Sequence, residues 1–235
     1  MDQRTKEDAL LKKLKDPDDK ASDNKAISKL IDDTIHSGHK VYLGGDWHLW
    51  LREEKDKPKC HKRSDFNQIL NETKNTIQPG DLFIYLGDLV DGEFQDKEEL
   101  KEALLSLNIP MIMVVGNNDL FGKPFYKSCG FQYVVDSFVW GDVLFTHMPC
   151  KNDNSINVHA HIHNSMEYWV PYTNQIDVAY LGGRKKPVEL MKLIHAQPAY
   201  SKKIKECPEH FNESTTMSVF EQAFNPNRIY DPYHD

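Results

Sequence analysis

From residue 40 onward the chain is punctuated by short apolar runs that stop at glycine and then at a polar residue. They read "KVYLGGD" over 40–46, "LFIYLGD" over 82–88, "MIMVVGN" over 111–117 and "VLFTH" over 143–147. Runs this short, rich in β-branched and aromatic side chains, predict strands, and their near-continuous apolar character requires cover on both faces. Between them Asp65–Ile77 and Lys97–Leu107 carry apolar positions at helical spacing, so strands and helices alternate through the first half of this stretch. After Gly130 the spacing tightens, and "FQYVVDSFVWGDVLFTH" predicts successive strands with a turn at Gly141-Asp142. The expected architecture is an α/β sandwich with mixed sheets.

The flanks differ. Residues 1–38 place Leu10, Leu11 and Leu14, then Ile27, Leu30, Ile31 and Ile35, at helical spacing in a charged background. Two amphipathic helices broken near Pro17 fit this, the second capped by Ser22 or Asp23 and docked on the domain. Beyond residue 170 only Pro187–Ala196 predicts a short helix, with proline in its first turn. The tail from Cys207 has no clear period. The expected division is therefore an N-terminal helical extension over 1–38, a core over 39–170, and an irregular C-terminal extension over 171–235 within one domain.

Composition narrows the function classes. With 235 residues, 39% hydrophobic and 28% charged, the chain has the make-up of an ordinary globular protein. A net charge of −7 disfavours broad contact with nucleic acid or an anionic membrane, so a phosphorylated substrate must meet local positive charge. Cys60, Cys129, Cys150 and Cys207 are dispersed and form no C-x-x-C, which suggests neither a disulfide scaffold nor a thiolate zinc site. The N-terminus has no apolar h-region and no segment is apolar for long enough to span a bilayer. A cytoplasmic location is expected, and homo-oligomerisation stays open.

The chemistry sits where the strands end. Asp46 with His48, Asp88, Asn117 and His147 each follow a predicted strand, and ligands in open α/β sheets gather beyond the carboxyl ends of strands. "NVHAHIHN" adds His159, His161 and His163, which alternate and would share one face if extended. Glycine precedes three of the ligands, at Gly45, Gly87 and Gly116, as suits a strand that turns sharply beside an ion. Asp, Asn and His without Cys describe a borderline-hard site for Mn²⁺, with Fe, Zn²⁺ or Ni²⁺ as alternatives. Seven ligands exceed one tetrahedral ion, so two divalent metals sharing a carboxylate, about 3.5–4 Å apart, is the economical reading.

In order, the blocks "DWH", "GDLVD", "GNND", "FTH" and "AHIH" resemble the signature of the calcineurin-like metallophosphoesterases: D-x-H, G-D-x-x-D, G-N-H-D/E, a lone His, and G-H-x-H. The resemblance implies a four-layer α/β/β/α sandwich of two mixed sheets flanked by helices. It implies that Asp46, His48 and His163 hold one metal, that Asn117, His147 and His161 hold the other, and that Asp88 bridges both. It also implies a phosphoesterase, a phosphodiesterase among the options, in which a hydroxide between manganese or similar ions attacks phosphorus in line. Two cations acidify bound water and stabilise charge on the attacking and leaving oxygens.

Three departures change the expected chemistry. The family histidine that binds phosphate and protonates the leaving oxygen is Asn118, and an amide cannot shuttle a proton at neutral pH. Asp91, which would orient that histidine, is expected to accept a hydrogen bond from Asn118 instead. Gly92 stands where protein phosphatases carry an arginine, and Ala160 replaces the first glycine of the last block. His159 is either a substitute acid or a structural, hydrogen-bonded histidine. For the substrate, a small phosphorylated molecule or diester, Asn118 and Arg184 are the contacts to test. The basic run Lys55–Arg63 is either a phosphate-facing loop or a solvated one, and Trp47, Trp50, Tyr168, Trp169 and Tyr172 either stack a base or fill the core. Against the enzyme stands a metal-binding scaffold of the same fold with little turnover.

Overall fold

Four parallel strands, the first three of them feeding loops that carry predicted ligands, form the first sheet of the computed structural model, which describes residues 17–49, 63–90, 97–150, 155–161, 169–170, 174–179 and 186–195. The strands are β1 (Val41–Gly44), β2 (Leu82–Tyr85), β3 (Met111–Val114) and β4 (Phe131–Val135). They alternate with helices α2 (Arg63–Thr76), α3 (Lys97–Leu105) and α4 (Lys123–Ser128); α1 (Pro17–His36) precedes them all. The second sheet holds β5 (Ser137–Trp140), β6 (Val143–Thr146), β7 (Ile156–His159), β8 (Trp169–Val170) and β9 (Gln175–Asp177). One residue, Asp136, carries the chain from β4 in the first sheet to β5 in the second.

Both sheets are mixed. The first runs β10-β1-β2-β3-β4, with β10 (Val188–Glu189) antiparallel to β1 at one edge. The second runs β5-β6-β7-β9-β8: β5 and β6 form an antiparallel hairpin, β6, β7 and β9 are parallel, and β8 returns antiparallel. Alternation along β1–β3 divides their side chains between two apolar layers. Leu43, Ile84, Ile112 and Val114 meet Phe138, Phe145, Val158 and Ile176 between the sheets. Tyr42, Phe83, Tyr85 and Met113 meet Phe66, Ile69, Leu100 and Leu104 under α2 and α3. Strands buried on both faces are therefore apolar throughout, and each fully buried Leu, Ile or Phe contributes about 1.5–3 kcal/mol.

Helix α1 closes an edge. Ile27 and Ile31 are buried in the layer between the sheets, with Leu30 and Ile35 packed against it. Its polar side serves β5: Asn24 Nδ2 donates to the Val139 carbonyl at 3.2 Å and Asn24 Oδ1 accepts the Val139 N–H at 2.7 Å, so one amide replaces a missing neighbour strand. Ser28 Oγ donates to the same carbonyl at 3.0 Å, and Trp140 Nε1 donates to Asp32 Oδ1 at 2.8 Å. An edge strand so occupied offers no template for pairing with another chain.

Several expectations need correction. Helix α1 starts at Pro17, so Ser22 and Asp23 lie within it rather than capping it. The segment read as irregular contributes strands to both sheets, and the helix expected from Pro187 begins only at residue 190, because Val188 and Glu189 pair with Leu43 and Tyr42. Short α4, opened by Pro124, was missed because six residues are too few to show a period. The first amphipathic helix and the tail from Cys207 lie outside the described residues. No described helix is long and apolar enough to cross a membrane.

Candidate metal centre

Beyond Gly44 the chain does not turn away but runs beside the segment that follows β2. Asp46 N–H donates to the Gly87 carbonyl at 2.9 Å, His48 N–H to Asp88 O at 3.0 Å, and Leu49 N–H to Leu89 O at 2.9 Å. Tyr85 supports both segments from below, its Oη accepting the Trp47 N–H at 2.8 Å and donating to the Asp88 carbonyl at 3.1 Å. Asp46, His48 and Asp88 are thereby held with φ of 52°, 43° and 55°, and His161 with φ of 71°. Among the described non-glycine residues only Asn108 joins these four at positive φ. Such backbone costs about 1–3 kcal/mol per residue and persists only where its surroundings impose it.

The result is convergence. Ligand atoms of Asp46, His48 and Asp88 all lie within 4.8 Å of one another, as do those of Asp88, His147 and His161, and Asp88 is common to both groups. Asp46, His48, Asp88 and His147 are buried. In the first group His48 Nε2 stands 3.3 Å from Asp46 Oδ1 and 3.7 Å from Asp88 Oδ2. In the second, His147 Nδ1 donates to the Leu86 carbonyl at 2.8 Å, which turns Nε2 inward. That nitrogen then faces Asn117 Oδ1 at 2.9 Å, Asp88 Oδ2 at 3.3 Å and His161 Nδ1 at 3.2 Å.

This donor set fits a cation. Two acceptor oxygens and two ring nitrogens crowd one point; a proton on His147 bridges only part of the set, whereas a divalent ion satisfies all of it. Without metal the electrostatics show the same demand. Burial pushes the His147 imidazole down, but the charge of Asp88 and its hydrogen bond, with Asp46 and the Leu86 carbonyl, lift it to about 9. Burial likewise opposes the charge on Asp88, yet His147 holds its carboxyl below the usual range. Hydrogen-bonding the far ring nitrogen to a carbonyl is how metal-binding histidines are oriented.

A family model described as calcineurin-like phosphoesterase matches residues 39–229. The chain belongs to that family. A protein of unknown function from Aquifex aeolicus shares the fold at a TM-score of 0.50 and 17% identity, over 67% of this chain and 98% of that one. The Pseudomonas putida nuclease MPE aligns at a TM-score of 0.39 and 17% identity, over 54% of this chain and 62% of that one. No curated protein matches the chain.

Within this phosphoesterase fold the departures have visible consequences. Asn118 turns toward Asp88: its backbone N–H donates to Oδ1 at 2.8 Å and its Nδ2 to Oδ2 at 2.9 Å. Ala160 is accommodated by Gly45, since a Cβ at that glycine would come within 2.9 Å of the Ala160 Cβ. His159 and His161 do not continue one strand face, because β7 ends at His159 and His161 has left-handed backbone. His159 is fully buried, its Nδ1 donates to the Ala160 carbonyl at 2.7 Å, and burial pushes it down to about 4. Neutral at pH 7 and shut away from solvent, it has the structural role rather than that of a proton donor. Trp47 belongs to the core, stacked on Phe83 and edge-on to Tyr85 at 5.8 and 4.9 Å between centroids.

One residue of the third block was overlooked. Asp119, buried below the cluster, accepts four hydrogen bonds from backbone N–H groups and a tyrosine; burial, then the Asp88 charge, raises it to about 6. Its signal was the acidic place in G-N-H-D/E, which carries no ligand role and drew no attention. Asp91, Gly92, His163, Arg184, Trp50, Tyr168, Tyr172 and the side chains of the Lys55–Arg63 run and of Trp169 lie outside the described residues.

Proposed function

We propose that the protein is a dinuclear metal-dependent phosphoesterase acting on a phosphodiester or a small phosphorylated metabolite. The observation that carries this reading is Asp88, whose carboxylate belongs to both converging groups. Asp46 and His48 would hold one ion, with His163 as the further expected ligand; Asn117, His147 and His161 would hold the other. Bound there, two divalent cations, manganese foremost, supply Lewis acidity, acidify water and neutralise charge on the attacking and leaving oxygens.

The chain's own residues set the remaining chemistry. His147 donates through Nδ1 to a carbonyl and so must release the Nε2 proton to become a ligand. Asn118 holds Asp88 and carries no titratable proton, so the leaving oxygen receives no general acid from this position. General acid catalysis is worth about 10²–10⁴-fold, which confines efficient turnover to leaving groups that depart without protonation. Arg184 remains the proposed phosphate clamp and Asp91 a proposed partner of Asn118.

The test is metal content followed by hydrolysis of bis-p-nitrophenyl phosphate, p-nitrophenyl phosphate and an alkyl phosphate with added Mn²⁺. The expected outcome is manganese-dependent turnover that falls steeply as the leaving group becomes more basic. Asp88→Asn should remove it. Two bound ions without turnover on any ester would favour the scaffold reading, for which Asn118 is the supporting observation; no bound ion would end both.

A further inference from the structure

The segments after β2 and β3 carry Asp88 and Asn117 but leave the sheet ladder at Gly87 and Gly116, so their backbone N–H groups need another acceptor. Asp119 supplies it. Its Oδ2 accepts the N–H groups of Asp88 and Gly116, both at 2.8 Å, and its Oδ1 accepts the Leu89 N–H at 2.9 Å. Tyr126, fully buried on α4, donates its hydroxyl to Oδ1 at 3.2 Å from the opposite side. Asp119 is not among the residues whose ligand atoms converge on either cation position. We propose that Asp119, braced by Tyr126, is a positioning residue that fixes the shared carboxylate of Asp88 against Asn117 and so sets cation affinity. The inference rests on the dinuclear reading above.

A buried carboxylate that merely staples a turn exists in the same molecule for comparison. Asp81, at the other end of β2, accepts the Lys40 and Gln78 N–H groups at 2.8 and 2.9 Å and touches no candidate ligand. Losing it loosens a turn, whereas losing Asp119 moves ligands.

The experiment is calorimetric titration of the metal-free full-length protein with Mn²⁺, with circular dichroism to establish folding. Asp119→Asn should weaken Mn²⁺ binding by about 10–100-fold, the cost typical of partners that orient ligands. Tyr126→Phe, which keeps the three N–H bonds, should weaken it by about threefold to tenfold, and decides the matter should Asp119→Asn not fold. Asp81→Asn should lower the melting temperature and leave Mn²⁺ affinity at the wild-type value. Folded Asp119→Asn or Tyr126→Phe with wild-type affinity, or an equal loss in Asp81→Asn, overturns the positioning role while leaving the dinuclear reading intact. A wild-type protein that binds no Mn²⁺ overturns both.

Discussion

At the N-terminal ends of β1 and β2 the backbone turns through Gly38 and Gly80, with φ of 80° and 94°, and nothing but glycine is asked to adopt the left-handed region. At the C-terminal ends of the same strands that region is occupied by Asp46, His48 and Asp88 as well as by Gly87. The two ends share a sheet and differ in what the bend must carry. A turn that only reverses direction takes glycine, which bends at no steric cost. A turn that must also present a side chain keeps the side chain and tolerates strain, here together with two buried carboxylates, Asp46 and Asp88, near enough that the charge of Asp46 opposes that of Asp88. Local stability is given up at the candidate metal centre.

The strongest way to break this contrast is Gly116→Ala. A Cβ there would collide with the carboxylate and backbone nitrogen of Asp88, atoms that cannot both move away. We expect a loss of about 1–3 kcal/mol or more, as for overpacking, and loss of Mn²⁺ binding, read by thermal unfolding and calorimetry. A variant that binds manganese normally would show that Asp88 is not held as described.

Asp46→Asn should act differently in the two states. It relieves the repulsion of Asp88 but removes a charge that supports protonated His147 and accepts the His161 N–H. The metal-free protein should therefore change by no more than about 1 kcal/mol, while Mn²⁺ binding weakens by at least the roughly 10–100-fold expected of an orienting partner. If metal-free stability falls by more than about 1 kcal/mol, the cluster is not frustrated without cations.

The pH dependence of the metal-free protein should follow two buried histidines of opposite sign. His147 is raised to about 9 from 6.5, so its contribution is complete below about pH 6.5 and is lost as pH rises through 9. His159 is lowered to about 4, so the unfolded chain binds the proton first, and stability is lost as pH falls from 6.5 through 4. Melting temperatures should fall as pH rises from 6.5 through 9, whereas on the acid side the loss from His159 is opposed by Asp119, whose carboxyl, raised to about 6, takes up a proton in the folded protein. Saturating Mn²⁺ should flatten the alkaline side, because a coordinated His147 has already released its proton. An alkaline limb unchanged by metal would argue against His147 as a ligand.

The smallest effect belongs to the other end of the sheet. An added Cβ at Gly38 meets nothing within 4 Å, so Gly38→Ala should cost only backbone strain, about 1–2 kcal/mol, with unchanged Mn²⁺ affinity. A large change in metal binding from that position would erase the distinction between the two ends.

What the sequence determined alone is what burial and local chemistry write into adjacent residues. β1–β3 were legible because strands covered on both faces must be apolar at every position, and the ligand types were legible because each follows such a run at once. Only the tertiary structure decided the rest. It parted His159 from His161 by a single left-handed residue and turned Asn118 onto Asp88. It also placed Asp119 under two loops, and it drew Val188–Glu189 into the first sheet instead of a helix. Each of these depends on where a distant segment lies, and a residue's partners thirty or a hundred positions away leave no period in its own neighbourhood.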